Sequence, residues 1–69
     1  EYNEHQINKA IQDLETPFRT AFILRDIQEL SYEEISKITE VPLGTIKSRI
    51  NRARIQLQSK LKEIYKNRS

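Results

Sequence analysis

The sequence predicts an all-α fold: a four-helix domain containing a helix-turn-helix, with a long C-terminal recognition helix. Three observations carry this. No segment shows the period-two alternation of apolar and polar residues that a half-buried strand requires. Four runs of apolar residues recur at spacings of three and four, which puts each run on one face of a helix. The breakers Pro17, Pro42 and Gly44 fall at the boundaries between those runs rather than inside them.

Asn3 opens the first helix, and Gln6 three residues later completes a capping box in which side chain and backbone satisfy each other. Ile7, Ile11 and Leu14 then form its apolar face. Thr16-Pro17 reads as an N-cap followed by proline at the first helical position. Phe18, Ala21 and Phe22 continue this second helix, which the pattern carries through Arg25 to about Glu29; the Phe18/Phe22 pair belongs to the core. Ser31 with Glu34 is a second capping box, opening a short third helix expected to bury Ile35 and Ile38. Pro42 stops that helix, because it lacks an N–H and drives Val41 out of the α region. From about Leu43, the residues Ile46, Ile50, Ala53, Leu57, Leu61 and Ile64 hold one stripe for five turns, so the fourth helix is long.

The third helix, the break at Glu40-Val41-Pro42 and the start of the fourth form the helix-turn-helix, residues 31–54 approximately. Ser36 is small enough for a close crossing. Ile35, Val41, Ile46 and Ile50 fill the angle between the helices.

With 69 residues, 36% of them hydrophobic, the chain suits one small domain, 1–69, with a thin core. It has no cysteine and one histidine, His5, so neither disulfide nor metal staple is expected. The lack of cysteine fits a reducing cytoplasm. No apolar run reaches the length of a membrane span, and membrane insertion is not expected. Methionine is absent even at position 1, so we expect a domain excised from a longer chain. No nucleophile–base set, metal-ligand cluster or glycine-rich phosphate loop is present; neither an enzyme nor a cofactor is expected. Glu33 and Glu34 imitate a catalytic pair, but capping explains Glu34 and solvent exposure explains Glu33.

Charge is segregated. The net charge is only +2, yet residues 1–42 sum to −5 and residues 43–69 to +7. Four cations, Lys47, Arg49, Arg52 and Arg54, crowd the fourth helix within eight residues. One end of the molecule is therefore suited to a polyanion. At about 100° per residue the core stripe Ile46, Ile50, Ala53, Leu57 occupies roughly 60° of arc. Opposite it lie Ser48, Asn51, Arg52 and Ile55, with Lys47 on one flank. These four polar side chains, Lys47, Ser48, Asn51 and Arg52, are the candidates for reading base edges in a major groove, where Asn pairs with adenine and Arg with guanine. Arg49 and Arg54 sit nearer the core edges, placed for phosphates, and Gly44 and Thr45 lie in the first turn, where amides bind phosphate. Ile55 faces outward toward either a thymine methyl or another protein.

The stretch "TPFRTAFILRDIQELSYEEISKITEVPLGTIKSRINRAR" resembles the C-terminal domain, region 4, of bacterial sigma factors of the extracytoplasmic-function (ECF) group. The resemblance runs from about Leu14 to Leu61, and "LSYEEI" and "GTIKSRINRAR" are its most specific pieces. It implies a four-helix domain that docks on the −35 promoter element of double-stranded DNA. It also implies binding to the β flap of core RNA polymerase, often an anti-sigma protein, and a bacterial cytoplasmic location. Positions matching Lys47, Ser48, Asn51 and Arg52 face bases in the family; those matching Arg25, Tyr32, Thr45, Arg49 and Arg54 approach the backbone or brace the motif. Two residues depart from the common pattern. Glu40 stands where many turns have glycine, and a left-handed conformation there costs about 1–2 kcal/mol. Thr39 replaces an aliphatic residue and weakens the local core.

Competing readings stand beside these. Arg49 or Arg54 pairs with acids of the first two helices; Tyr32 and Arg25 are structural. The whole domain is a protein-interaction module, or a stand-alone helix-turn-helix regulator that dimerises through its last helix.

Overall fold

The computed structural model describes residues 2–66. Among these, four α-helices form: α1 (Glu4–Gln12), α2 (Thr16–Phe22), α3 (Tyr32–Thr39) and α4 (Leu43–Lys66), with a π-helical segment, Ile23–Ile27, continuing α2. Both capping boxes are present. The Asn3 side chain accepts from the Gln6 amide at 2.8 Å, while Gln6 accepts from the Asn3 amide at 3.0 Å. Ser31 and Glu34 exchange the same pair of bonds at 3.0 and 2.9 Å.

Helix α4 is the spine. Its 24 residues extend about 36 Å at 1.5 Å each, most of the molecule's 43 Å length. Two hydrophobic clusters lie along it. One joins Ile11, Leu14, Phe22 and Ala53, backed by Ile7, Phe18, Ile23 and Leu57. The other joins Ala21, Ile35, Ile46 and Ile50, backed by Leu24, Leu30, Tyr32 and Val41. Consecutive residues of α2, Ala21 and Phe22, serve different clusters, so α2 holds both ends of the core to α4.

Four local expectations change. Thr16 is not the cap of α2. Glu15 takes that place with extended backbone, its carbonyl accepting the Arg19 amide at 2.9 Å, and Pro17 follows as the second helical residue. The helix does not run evenly to Glu29. It widens into the π turn, where the Gln28 amide reaches the Ile23 carbonyl at 2.9 Å, and Glu29 turns left-handed at φ 59°. Leu14 is buried as expected but lies in the turn beyond α1. Ile38 is 61% exposed, not buried. Only Ile35 of α3 points fully inward, and Leu30, Tyr32 and Val41 flank it instead.

The turn of the helix-turn-helix is as the sequence implies, with α3 ending at Thr39 and α4 starting after Pro42. Glu40 is left-handed, φ 56° and ψ 40°, and its amide donates to the Ser36 carbonyl. That carbonyl also accepts the Val41 amide at 3.2 Å, while the Ser36 hydroxyl donates to the Val41 carbonyl. Ser36 thus clamps both polar groups of Val41. Thr39 is half-buried, and its hydroxyl is satisfied by the Ile35 carbonyl at 2.7 Å.

Candidate nucleic-acid interface

The exposed side of α4 is built by what its other side buries. Ile46, Ile50 and Ala53 are at most 1% exposed, so the helix cannot rotate without breaking both clusters. Gly44, Ser48, Asn51 and Ile55 are consequently turned to solvent. They fall on successive turns of one line, since their spacings are four, three and four residues. This central strip carries no charge.

Cations line both of its sides. On the α2 side, Arg49 is half-buried beside a recess formed with Thr16, Pro17, Thr20, Thr39 and Val41. Thr45, also half-buried, falls on that flank by its helical position. Arg52 departs from the expectation that it projects straight out: its guanidinium lies over the Phe18 ring, 5.2 Å from the centroid. A long side chain can lean along apolar surface while keeping its charge in water, and this one stays exposed.

On the α3 side, Tyr32 organises a cluster. Its half-buried ring packs against the cluster of Ala21, Ile35, Ile46 and Ile50. The Arg25 guanidinium lies 4.8 Å from the ring centroid and the Lys47 ammonium 5.9 Å. Arg25 is fixed from behind, donating to the Leu30 carbonyl at 2.9 Å. Tyr32 is therefore the core aromatic of one reading of the sequence, and its ring also holds two cations in place.

Arg54 sits on the same flank in a bidentate pair with Asp26. Its Nε donates to Oδ2 at 2.8 Å and its Nη2 to Oδ1. The pairing of Arg54 with an acid of the second helical stretch, one of the alternatives above, is thus what the free chain adopts. Arg54's hydrogen bond holds the Asp26 carboxyl below the usual range, its charge and that of Arg25 adding to the effect while partial burial opposes it. The guanidinium is in turn held more firmly protonated, chiefly by Asp26 and to a smaller degree by Tyr32. The sequence offered an acidic partner for Arg54 without naming it; 28 residues separate Asp26 from Arg54, so local spacing does not single it out.

At the start of α4, the Ile46 amide bonds the Pro42 carbonyl at 3.0 Å, so the helical ladder begins there. The amides of Leu43, Gly44 and Thr45 precede it and have no partner within the helix. A side chain at Gly44 would meet nothing within 4 Å. No helix of the described residues is long and apolar enough to cross a membrane.

The arrangement is an uncharged strip between two cationic walls, with a helix N-terminus at one end. Residues 4–57 match the protein family described as sigma-70, region 4. The match begins in α1, twelve residues ahead of the stretch that carried the resemblance. Among curated proteins, the chain is 38% identical over 61 residues to the ECF RNA polymerase sigma-E factor of Haemophilus influenzae, covering 88% of this chain and 32% of that protein. It is 39% identical over 61 residues to the RNA polymerase sigma-H factor of Pseudomonas aeruginosa, with the same coverage of 88% and 32%. Identity rises to 47% over 55 residues with the ECF RNA polymerase sigma factor SigE of Mycolicibacterium smegmatis, covering 80% of this chain and 21% of that one. The chain thus spans about a third or less of the length of these relatives.

Proposed function

The chain belongs to the sigma-70 region 4 family, in its ECF group, and from that premise we propose that it reads the −35 element of promoter DNA as part of an RNA polymerase sigma factor. The observation that carries this reading is the uncharged strip of α4 between cationic walls. A helix in a major groove meets base edges along its outermost line and a phosphate strand on either side.

In this reading Ser48 and Asn51 contact base edges directly, with Lys47 and Arg52 bracketing them at the outer base pairs. Arg25, Tyr32 and Arg54 take phosphates on one wall, and Arg49, Thr45 and the Gly44 amide take them near the other. The domain performs no chemistry. It positions a polymerase, and its partners are promoter DNA, the β flap of the core enzyme and an anti-sigma protein, all in the bacterial cytoplasm. Ile27 and Ile38, 55% and 61% exposed and outside both clusters, supply apolar surface for the protein partners.

Binding-site selection followed by anisotropy tests the proposal. About four to six neutralised phosphates give a slope of log K against log salt near −4 to −5. Asn51→Ala should relax the preference at one base position by about 10–100-fold, the worth of a bidentate contact, and leave that slope unchanged. A selected pool without sequence preference, or binding indifferent to salt, would refute it. Loss of polymerase binding with intact base preference in Ile38→Lys would place the protein contact as proposed.

A further inference from the structure

The geometry points to Asp26 as an internal stand-in for a DNA phosphate: in the free chain it occupies the fork of Arg54 and must yield that fork when a duplex binds. This rests on the duplex-binding reading above and concerns one wall of the same interface.

Three features support exchange rather than permanent bracing. First, Asp26 takes the Nε and Nη2 donors together, one hydrogen bond to each carboxylate oxygen. That two-donor edge is the one a phosphate uses when it pairs bidentately with arginine. Second, the pair is open to solvent, with side-chain exposures of 45% for Arg54 and 27% for Asp26. Exposed pairs hold weakly, so an incoming anion meets little resistance. Third, the carboxylate sits where positive charge converges. Arg25 acts on Asp26 through space, and Arg25 and Lys47 flank the Tyr32 ring beside Arg54. A phosphate arriving there meets Arg54 and Arg25 in one recess, with Glu29 the other acid on its lining and Lys47 across the Tyr32 ring. Arg25 behaves differently, for its anchor is the neutral Leu30 carbonyl and its charge is not spent.

The consequence is that Asp26 lowers affinity for DNA in general. Removing its charge spares an incoming duplex the breaking of that pair, a gain independent of sequence. The test is anisotropy with a fluorescein-labelled mixed-sequence 20-base-pair duplex, from low salt upward, for the wild-type chain, Asp26→Asn, Arg54→Gln and the double variant. Arg54 meets the phosphate in the wild-type chain and in Asp26→Asn alike, so the salt slope should be the same for both, and Asp26→Asn should bind about two- to fivefold tighter, the worth of an exposed pair that no longer has to be broken. Arg54→Gln should cost about two- to fivefold more in the Asp26→Asn background than in the wild-type background. Wild-type binding with an unchanged or weakened Asp26→Asn overturns the stand-in role and leaves the duplex reading intact. Absence of salt-dependent binding in all four proteins overturns both. A second readout does not depend on a variant folding: the carboxylate carbon of Asp26 and the Nε–H of Arg54, followed by NMR, should both shift as the wild-type chain is titrated with the duplex. Resonances unmoved through saturation also overturn the exchange.

Discussion

Glu40→Gly should stabilise this domain, and the size of the effect can be worked out from the backbone. Glu40 occupies the left-handed region at φ 56°, ψ 40°, where a side chain crowds the following carbonyl. That conformation costs an L-residue about 1–2 kcal/mol, and glycine escapes it. Against this, glycine gives the unfolded chain more freedom, a loss of about 0.5–1 kcal/mol. The Glu40 side chain is exposed and removing it uncovers no core. The net gain is about 0.5–1 kcal/mol, which in a domain of this size raises Tm by about 2–8 °C. The turn itself should not move, because Ser36 holds Val41 through two bonds and the Glu40 amide through a third, all made by backbone and the Ser36 hydroxyl. Thermal melting by circular dichroism is the assay, with Glu40→Ala as the control that keeps the crowding and Glu40→Val as the one that worsens it. The expected order is Gly above wild type and Ala, with Val lowest. Glycine and alanine variants melting together at or below wild type would show that the left-handed turn stores no strain.

Three other outcomes are expected. Ile50→Val removes one methylene from a site 1% exposed and should cost about 0.5–1.5 kcal/mol in urea unfolding, a large share of what so small a core supplies. Ser31→Ala should cost about 1 kcal/mol through the lost cap; it should also raise the Glu34 titration midpoint only part of the way, because the Ser31 amide, the larger cause of its lowered pKa, remains. For pH, the folded-state pKa of Asp26 lies below its unfolded value, so its contribution is complete above about pH 5 and fades as pH falls through the folded value. Melting curves between pH 6 and 3 should therefore fall less steeply for Asp26→Asn, by at most about 1 kcal/mol, the ceiling for an exposed pair.

What the sequence disclosed and what it withheld divide by distance along the chain. Capping boxes involve residues three apart, and both Asn3/Gln6 and Ser31/Glu34 form as read. The stripe Ile46, Ile50, Ala53 repeats within one helix and fixes which way α4 faces. The failures need tertiary information. Nothing in Ile23–Ile27 distinguishes a π turn from a continuing α-helix. The widening accompanies the docking of the Glu29-Leu30 corner, where the Leu30 amide returns to Leu24 at 3.0 Å. Ile38 looked buried because it lies three residues from Ile35, but the tilt of α3 decides which of the two meets α4. Arg52 was placed by a wheel that treats side chains as radial spokes, and the Phe18 ring lies off that radius. The Asp26–Arg54 pair joins residues 28 apart, which no local pattern encodes.

Gly44 separates the demands of folding from those of binding. Its φ is not positive, so the backbone there does not require glycine. A Cβ would meet nothing within 4 Å, so neighbouring atoms do not require it either. By the fold alone, glycine is a poor choice: alanine is favoured in helices by up to about 1 kcal/mol. The residue is explained if something outside the free chain must come within van der Waals distance of that backbone, as a phosphate would on reaching the open amides of the first turn. Gly44→Ala should then split two properties that usually move together. Tm should rise by a few degrees, about 4–8 °C per kcal/mol gained. Affinity for a promoter duplex should fall severalfold, with base preference retained because Ser48 and Asn51 keep their places on the strip. A variant more stable and equally tight would mean that no phosphate approaches α4 at its N-terminus, and that the cationic walls alone hold the duplex.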